Sequence, residues 1–437
     1  MRHGEEKMSA VDAAWLGMDS DVQHMVINAA FVFAEPLTFD ELLTLVRERV
    51  VQQIRFRQHV VSPRVPIGVA HVRVPIGTPH WVEAPEIDVS AHVHRLSLPA
   101  PGDEAALARL IGELASRPLD RERPLWAIYF IERHEACGLT CPPVVLVRLH
   151  HAVGDGVSLM RLLMSLTDHD SDPPKAVGQP VAPRPHGIVQ LGRMAAEHTA
   201  ALARMLLLPG DPETAFRGPL GPEKRVAWTR PLGLARMRAI AERHGAKLND
   251  VLVAVVAGAI RRYLRTHDAL PPIAELRALV PLFLRGHGDG ESLGNHFGLV
   301  FIPLLVGIPD PHERVKASKA RNDIVKGSPD AMVALEVLAV MGAAGPGVEG
   351  LGIDIFTRKA SCMITNVPGP TRPLRMAGRR IADMISFAPV AGHVSTGITM
   401  VTYAEEVRLG IIADAGRIPD PETLARACEA ELDELIE

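Results

Sequence analysis

Cysteine is scarce: Cys137, Cys141, Cys362 and Cys428 are the only four in 437 residues, too few for a disulfide framework. Cys137 and Cys141 have no second pair at zinc-ligand spacing, so reduced structural thiols and no metal site are expected. Long apolar runs are missing as well. The longest, Val251–Ile260 and Gly298–Ile308, fall short of the roughly 18 residues that a membrane span needs. The opening MRHGEEKMSA carries acids and no apolar segment, which argues against a secretory signal and for a cytoplasmic location. No Lys/Arg block is present and the net charge is -4, so nothing recruits nucleic acid. Repeats at solenoid spacing are also lacking.

What is present is a globular composition on the apolar side, with 47% hydrophobic and 22% charged residues. The length suffices for two lobes with sizeable cores. Pro- and Gly-rich stretches between about 171 and 222, around a helix-like run Gly187–Leu208, read as a crossover. The expected division is a first lobe at 1–170, the linker at 171–222, and a second lobe at 223–437. Strands are expected at Val26–Ala34, Trp126–Glu132 and Val144–His150, and helices at Thr38–Val51, Asp103–Ser116 and Val157–Leu166. The second lobe should hold helices Leu234–His244, Asn249–Leu264 and Pro421–Ile436. Its strands should be Ala278–Phe283, Gly298–Val306, Ser361–Val367, Gly397–Tyr403 and Val407–Ala413. The order is mixed α/β without strict alternation.

The stretch richest in chemistry ends a strand: Leu149-His150-His151-Ala152-Val153-Gly154-Asp155-Gly156. Alternation along a strand sends His150 and His151 to opposite faces, which argues against both binding one metal ion. One imidazole could then face a cleft as a general base near pH 7, while Asp155 and Gly156 lock a turn at a helix start. The alternative is two core histidines and a helix cap. Gly290-Glu-Ser292-Leu-Gly294 fits the G-x-S-x-G pattern, but no strand precedes it and a β-like run follows, against a nucleophilic serine. Gly345–Gly350 fits G-x-G-x-x-G, yet a helix-like segment precedes it and no acidic partner follows, so a loop is expected.

The His150–Gly156 block, H-H-x-x-x-D-G, resembles the active-site motif of the bacterial wax ester synthase/diacylglycerol acyltransferase family, within the CoA-dependent acyltransferases. Further blocks are similar to that family in the same order: Asp12-Ala-Ala-Trp-Leu16 with His24-Met25, Pro99–Asp103, Pro118–Trp126, Asn249-Asp250, Gly294–Gly298 and Asn366–Pro370. The similarity runs from about residue 8 to 437. Gly154 and Thr402-Tyr403 depart slightly from the family pattern.

The resemblance implies two chloramphenicol-acetyltransferase-like lobes with an active-site tunnel between them. It implies acyl-CoA as co-substrate, with no other cofactor, and a diacylglycerol or long-chain alcohol as acceptor. His151 would be the base, His150 its neighbour and Asp155 a turn anchor. Asn249 and Asn295 are candidates for binding the reaction's oxyanion, or else a helix cap and a turn residue. Gly156 and Trp126 are further candidates at the substrate, although core packing explains Trp126 too. The small-residue face of Val251–Ile260 would line an acyl channel or simply be a buried helix. Gly187–Leu208 could lie on a bilayer or pack across the lobes. A condensation-type or polyketide-modifying acyltransferase and a silent lipid-binding protein are the alternatives.

Overall fold

The computed structural model describes residues 5–62, 64–67, 72–75, 77–134, 140–154, 160, 164, 166–168, 179–180, 188–267, 269–271, 275–285, 295, 297–326, 328–344 and 346–436. Asp155, Gly156, most of the expected helix Val157–Leu166 and the Gly290–Gly294 motif lie outside them. The architecture is mixed α/β, built on two main sheets. The first runs Arg375–Met376, Arg379–Phe387, Val26–Phe33, Thr140–His150, Trp126–His134, Val93–Ser97. The second runs Gln179–Pro180, Leu276–Arg285, Cys362–Pro368, Thr396–Tyr403, Glu406–Asp414, Lys224–Trp228, with Phe297–Leu304 antiparallel to Leu276–Arg285.

The first sheet follows from its sequences. Val26–Phe33 and Thr140–His150 are rich in β-branched and aromatic residues, and their pairing sets Val26 opposite His150. Ile27, Ala29 and Phe31 share one face with Val145, Val147 and Leu149 in the first lobe's core. Ala30, Val144 and Leu146 pack on the other face. Helix Glu104–Ala115 starts where Asp103 accepts from the Ala106 N–H, and buries Leu107, Ile111 and Leu114. Thr38 and Glu41 form a reciprocal capping box for Phe39–Leu45, which continues as a π turn through Val46–Val50.

In the second lobe, every residue from Val251 to Ile260 of helix Leu248–Thr266 is buried. A helix apolar all round belongs at the centre of a core. Each fully buried Val, Leu or Ile contributes ~1.5–3 kcal/mol of burial. None of these residues lines the two apolar cavities beside His151, and their burial is that of a core helix.

Three features depart from the expectations. Strand Arg379–Phe387 lies in the half expected to be wholly second lobe, yet it pairs antiparallel with Val26–Phe33 in the first sheet. The assignment of all of 223–437 to the second lobe is corrected accordingly. Phe387 and Ile385 face Ile412 and Val226 of the second sheet, so this strand forms part of the seam. The second departure is at Gly345–Gly350: helix Pro346–Thr357 begins inside the expected loop. Pro at a first helical position is pre-set for the turn. The third is helix Asp330–Ala344, which reaches back to the first lobe. A Cβ on Gly342 would lie 1.7 Å from the Ala10 carbonyl oxygen, and one on Gly298 would lie 1.6 Å from that of Ala331. Glycine at both positions allows this helix to press on the first helix, Ala10–Gly17, and on strand Phe297–Leu304.

Candidate active site

The strand Thr140–His150 delivers both histidines to its end. His150 closes the ladder, and His151 opens a 3₁₀ turn, His151–Val153, with its N–H donating to the Met25 carbonyl at 2.6 Å. The two rings have different surroundings. His150 is 1% exposed; its Nδ1 accepts from the Ala152 N–H at 3.0 Å, so its proton sits on Nε2, which donates to Asp19 at 3.1 Å. Asp19 also accepts from the Met25 N–H and pairs with Arg121. Burial works to raise the Asp19 pKa, but the bond from His150 and these neighbours outweigh it and hold the carboxyl at about 2. With both nitrogens committed, His150 has no atom left for a substrate. Its expected place among the catalytic groups is corrected to a structural one, anchoring the turn.

His151 faces a cavity. The walls are Ile27, Ala29 and Phe31 from the first sheet, and Pro281, Leu299, Met363, Asn366 and Val401 from the second half of the chain. Trp15 stacks on the imidazole, with ring centroids 4.2 Å apart and planes 14° from parallel, and Phe297 approaches from another side at 5.6 Å. Burial pushes the imidazole down to about 4 against the bond to Asn295, which raises it, so the ring is neutral at pH 7.

The tautomer of His151 follows from its partners. Asn295 Nδ2 donates to Asp12 Oδ1 at 2.7 Å and to the His151 carbonyl at 2.8 Å. A backbone carbonyl can only accept, so the amide must present its nitrogen there and its oxygen to the ring. Asn295 Oδ1 lies 2.9 Å from His151 Nδ1, which must therefore carry the proton. Nε2 keeps the lone pair and has no partner among the described residues. Asn295 was a candidate oxyanion donor or else a turn residue; both of its N–H groups are spent on Asp12 and the His151 carbonyl, and its oxygen meets the His151 ring.

Asn249, at the start of helix Leu248–Thr266, accepts from Asn366 Nδ2 at 2.6 Å. Asn366 reaches the cavity wall and its Oδ1 is buried without a partner among the described residues. Exchanging O and N in both carboxamides keeps their mutual bond and turns that atom into an N–H donor. Trp15 Nε1 is likewise buried and unpartnered. Trp126 lies elsewhere. Its Nε1 donates to the Phe56 carbonyl at 3.0 Å and its ring stacks on His92, the surroundings of the core-packing reading that the sequence left open beside substrate contact. The sequence reading gave no role to Asp12, Trp15 or Asp19. Their one signal was D-x-x-W at helical spacing, which sets Asp12 and Trp15 on the same face of Ala10–Gly17.

Beside the cavity lies a second apolar chamber, which shares Trp15, Leu299 and Met363 with it and continues along Leu338, Met341, Ile353 and Phe356. No group of three or more His, Cys, Asp or Glu is placed to hold a metal among the described residues, and no described helix is long and apolar enough to cross a membrane.

A wax ester synthase/diacylglycerol acyltransferase from Marinobacter aquaeolei VT8 superposes with a TM-score of 0.70 at 24% identity, over 98% of both chains. The first condensation domain of the calcium-dependent antibiotic synthetase does so at 0.62 and 16%, over 99% of this chain and 96% of that one. The fold is therefore that of the two-lobed acyltransferases and condensation domains. Residues 8–207 match the wax ester synthase/diacylglycerol acyltransferase catalytic domain, and residues 293–436 match the WS/DGAT C-terminal domain. A relative named "Probable diacyglycerol O-acyltransferase tgs1", from Mycobacterium tuberculosis, is 29% identical over 392 residues, 83% of this chain and 82% of its own. The chain belongs to the wax ester synthase/diacylglycerol acyltransferase family and is an acyltransferase.

Proposed function

We propose that the protein transfers a long acyl group from acyl-CoA to the hydroxyl of a diacylglycerol or long-chain alcohol, with His151 as general base. The observation that carries this reading is the His151 imidazole, held as the Nδ1–H tautomer with its Nε2 lone pair uncommitted, on a mostly apolar cavity walled by both halves of the chain. In the reaction, Nε2 takes the acceptor's hydroxyl proton as the oxygen attacks the thioester carbonyl. The tetrahedral intermediate collapses with loss of the C–S bond, and His151 returns the proton to the departing thiolate. General-base catalysis of this kind contributes ~10²–10⁴-fold. The oxyanion would take its hydrogen bond from Trp15 Nε1–H or from the Asn249–Asn366 pair, whose unpartnered atoms such a role explains.

The paired, mostly apolar chambers suit two aliphatic chains, which once bound would shield the proton transfer from water. The relatives' names supply the acceptors. A lipid acceptor dissolved in a membrane could be met by helix Ile188–Leu207, where Leu202, Leu206 and Leu207 are exposed. The test is thiol release from palmitoyl-CoA, with dioleoylglycerol and hexadecanol offered in turn. His151→Ala should abolish release while leaving the melting profile cooperative; retained turnover in that variant would remove His151 as base.

A further inference from the structure

A base on a mostly apolar cavity must become a cation at the moment it acts, and that charge has to be met by something. The described groups nearest the His151 ring are neutral or aromatic, His150 among them; the carboxylates lie one group further out, Asp12 beyond Asn295 and Asp19 beyond His150. Asp12 is 8% exposed. Its Oδ1 accepts from Asn295 Nδ2 at 2.7 Å, and its Oδ2 accepts from Ser9 Oγ at 2.7 Å. Burial raises its carboxyl above the usual range, while the bonds from Ser9 and Asn295 and the facing Arg55, itself paired with Glu6 and lying over the Trp81 ring, favour the carboxylate. Burying a carboxylate is costly unless it is bonded, and a carboxylate retained there for stability alone is poorly placed compared with an apolar side chain.

We infer that Asp12 is a positioning residue for the transfer reaction: through the Asn295 carboxamide it holds His151 in its Nδ1–H tautomer and supplies the negative charge that offsets the transient imidazolium. The inference rests on His151 acting as base. The proton path is unchanged by it. The hydroxyl proton goes to Nε2 and then to the thiolate sulfur, while Asn295 and Asp12 neither gain nor lose one. What Asp12 adds is polarisation of the amide. A carboxylate drawing on the Nδ2–H makes Oδ1 a stronger acceptor for Nδ1–H, and this bond strengthens as the ring becomes charged. Trp15, one helical turn on, presents its ring face to the same imidazole, so the first helix contributes both groups.

Asp12→Asn isolates the charge. The carboxamide it introduces can keep its oxygen toward Asn295 Nδ2 and offer its N–H to Ser9 Oγ, which can accept, so the geometry survives and only the charge is lost. The measurement is kcat and KM for palmitoyl-CoA and the acceptor, with ¹⁵N-histidine NMR to read the tautomer. We expect kcat to fall about 10- to 100-fold, as loss of one nearby charge in a poorly hydrated site implies, with both KM values within about twofold and the Nδ1–H tautomer kept. If D12N does not fold, D12E and D12S are read in its place: D12E keeps the carboxylate and should hold the tautomer and kcat within about tenfold, whereas D12S keeps only an acceptor hydroxyl and should fall as D12N would. A folded D12N or D12S with parental kcat, a loss lying wholly in KM, or a D12E no more active than D12S would overturn the inference. Each is read beside His151→Ala: if that variant keeps turnover, the base assignment itself has failed, whereas an inactive His151→Ala with a parental D12N removes only Asp12.

Discussion

Replacing Gly342 by alanine tests how the first helix is held against the proposed base, His151. The added methyl would sit 1.7 Å from the Ala10 carbonyl oxygen and 2.8 Å from the Ala14 nitrogen, both backbone atoms that cannot rotate away. Helix Asp330–Ala344 is also tied near its other end, where the Ala331 carbonyl is pressed onto Gly298, so the shorter first helix is expected to yield. Restoring an ordinary contact of about 3.5 Å requires a shift of roughly 1.5–2 Å. That helix carries Asp12 and Trp15, which touch Asn295 and His151. Misplacement of a catalytic geometry by about 1 Å costs on the order of 100-fold, so kcat should fall by at least that much. Stability should fall less, because overpacking costs about 1–3 kcal/mol while alanine regains up to about 1 kcal/mol over glycine in a helix. Gly350→Ala is the control: the same exchange in helix Pro346–Thr357, where a Cβ meets nothing within 4 Å. It should leave turnover unchanged and raise stability by roughly 0.5–1 kcal/mol. Thiol release and urea melts on both variants decide it. A Gly342→Ala protein with parental kcat would refute the claim that this contact sets the site.

Two further outcomes follow from the same geometry. Burial lowers the His151 pKa from 6.5 to about 4, so between those values the unfolded chain binds the extra proton and stability falls as the pH falls. The loss from this residue reaches about 3 kcal/mol at pH 4, and His151→Gln should flatten the decline; parallel melting curves between pH 6.5 and 4 would contradict the assignment. Trp126→Phe should cost about 1–2 kcal/mol through the lost bond to Phe56 and leave kcat within about twofold, whereas a large fall in kcat would return Trp126 to the substrate site.

The elements that could be read from sequence are those whose pattern is local. Val26–Phe33, Val144–His150 and Gly397–Tyr403 are continuous β-rich runs inside observed strands, and Pro421–Ile436 is a helix with the bounds expected of it; the start of Thr140–His150, with Pro142-Pro143, was not read as strand. Arg379–Phe387 was missed because Arg379, Arg380 and Asp383 interrupt its alternation, and nothing local says which sheet it will join. At the site, opposite orientations for His150 and His151 followed from alternation, although the turn at His151, more than the pleat, aims its ring. The role of Asn295 was not legible. It depends on which acceptors surround the amide, and Asp12 lies 283 residues away in the chain.

The pairing of Arg379–Phe387 with Val26–Phe33 has a consequence for biosynthesis. A ribosome working at roughly 5–20 residues per second needs about 20–70 s to travel from Phe33 to Arg379. Once Thr140–His150 has been made, the strand Val26–Phe33 can pair with it on one side, but through the whole interval its other edge lacks Arg379–Phe387. An unpaired apolar edge is a template for pairing with another chain. The nascent first lobe should therefore depend on holdase chaperones for most of its synthesis, and truncations ending before about 379 should aggregate even though they carry both histidines.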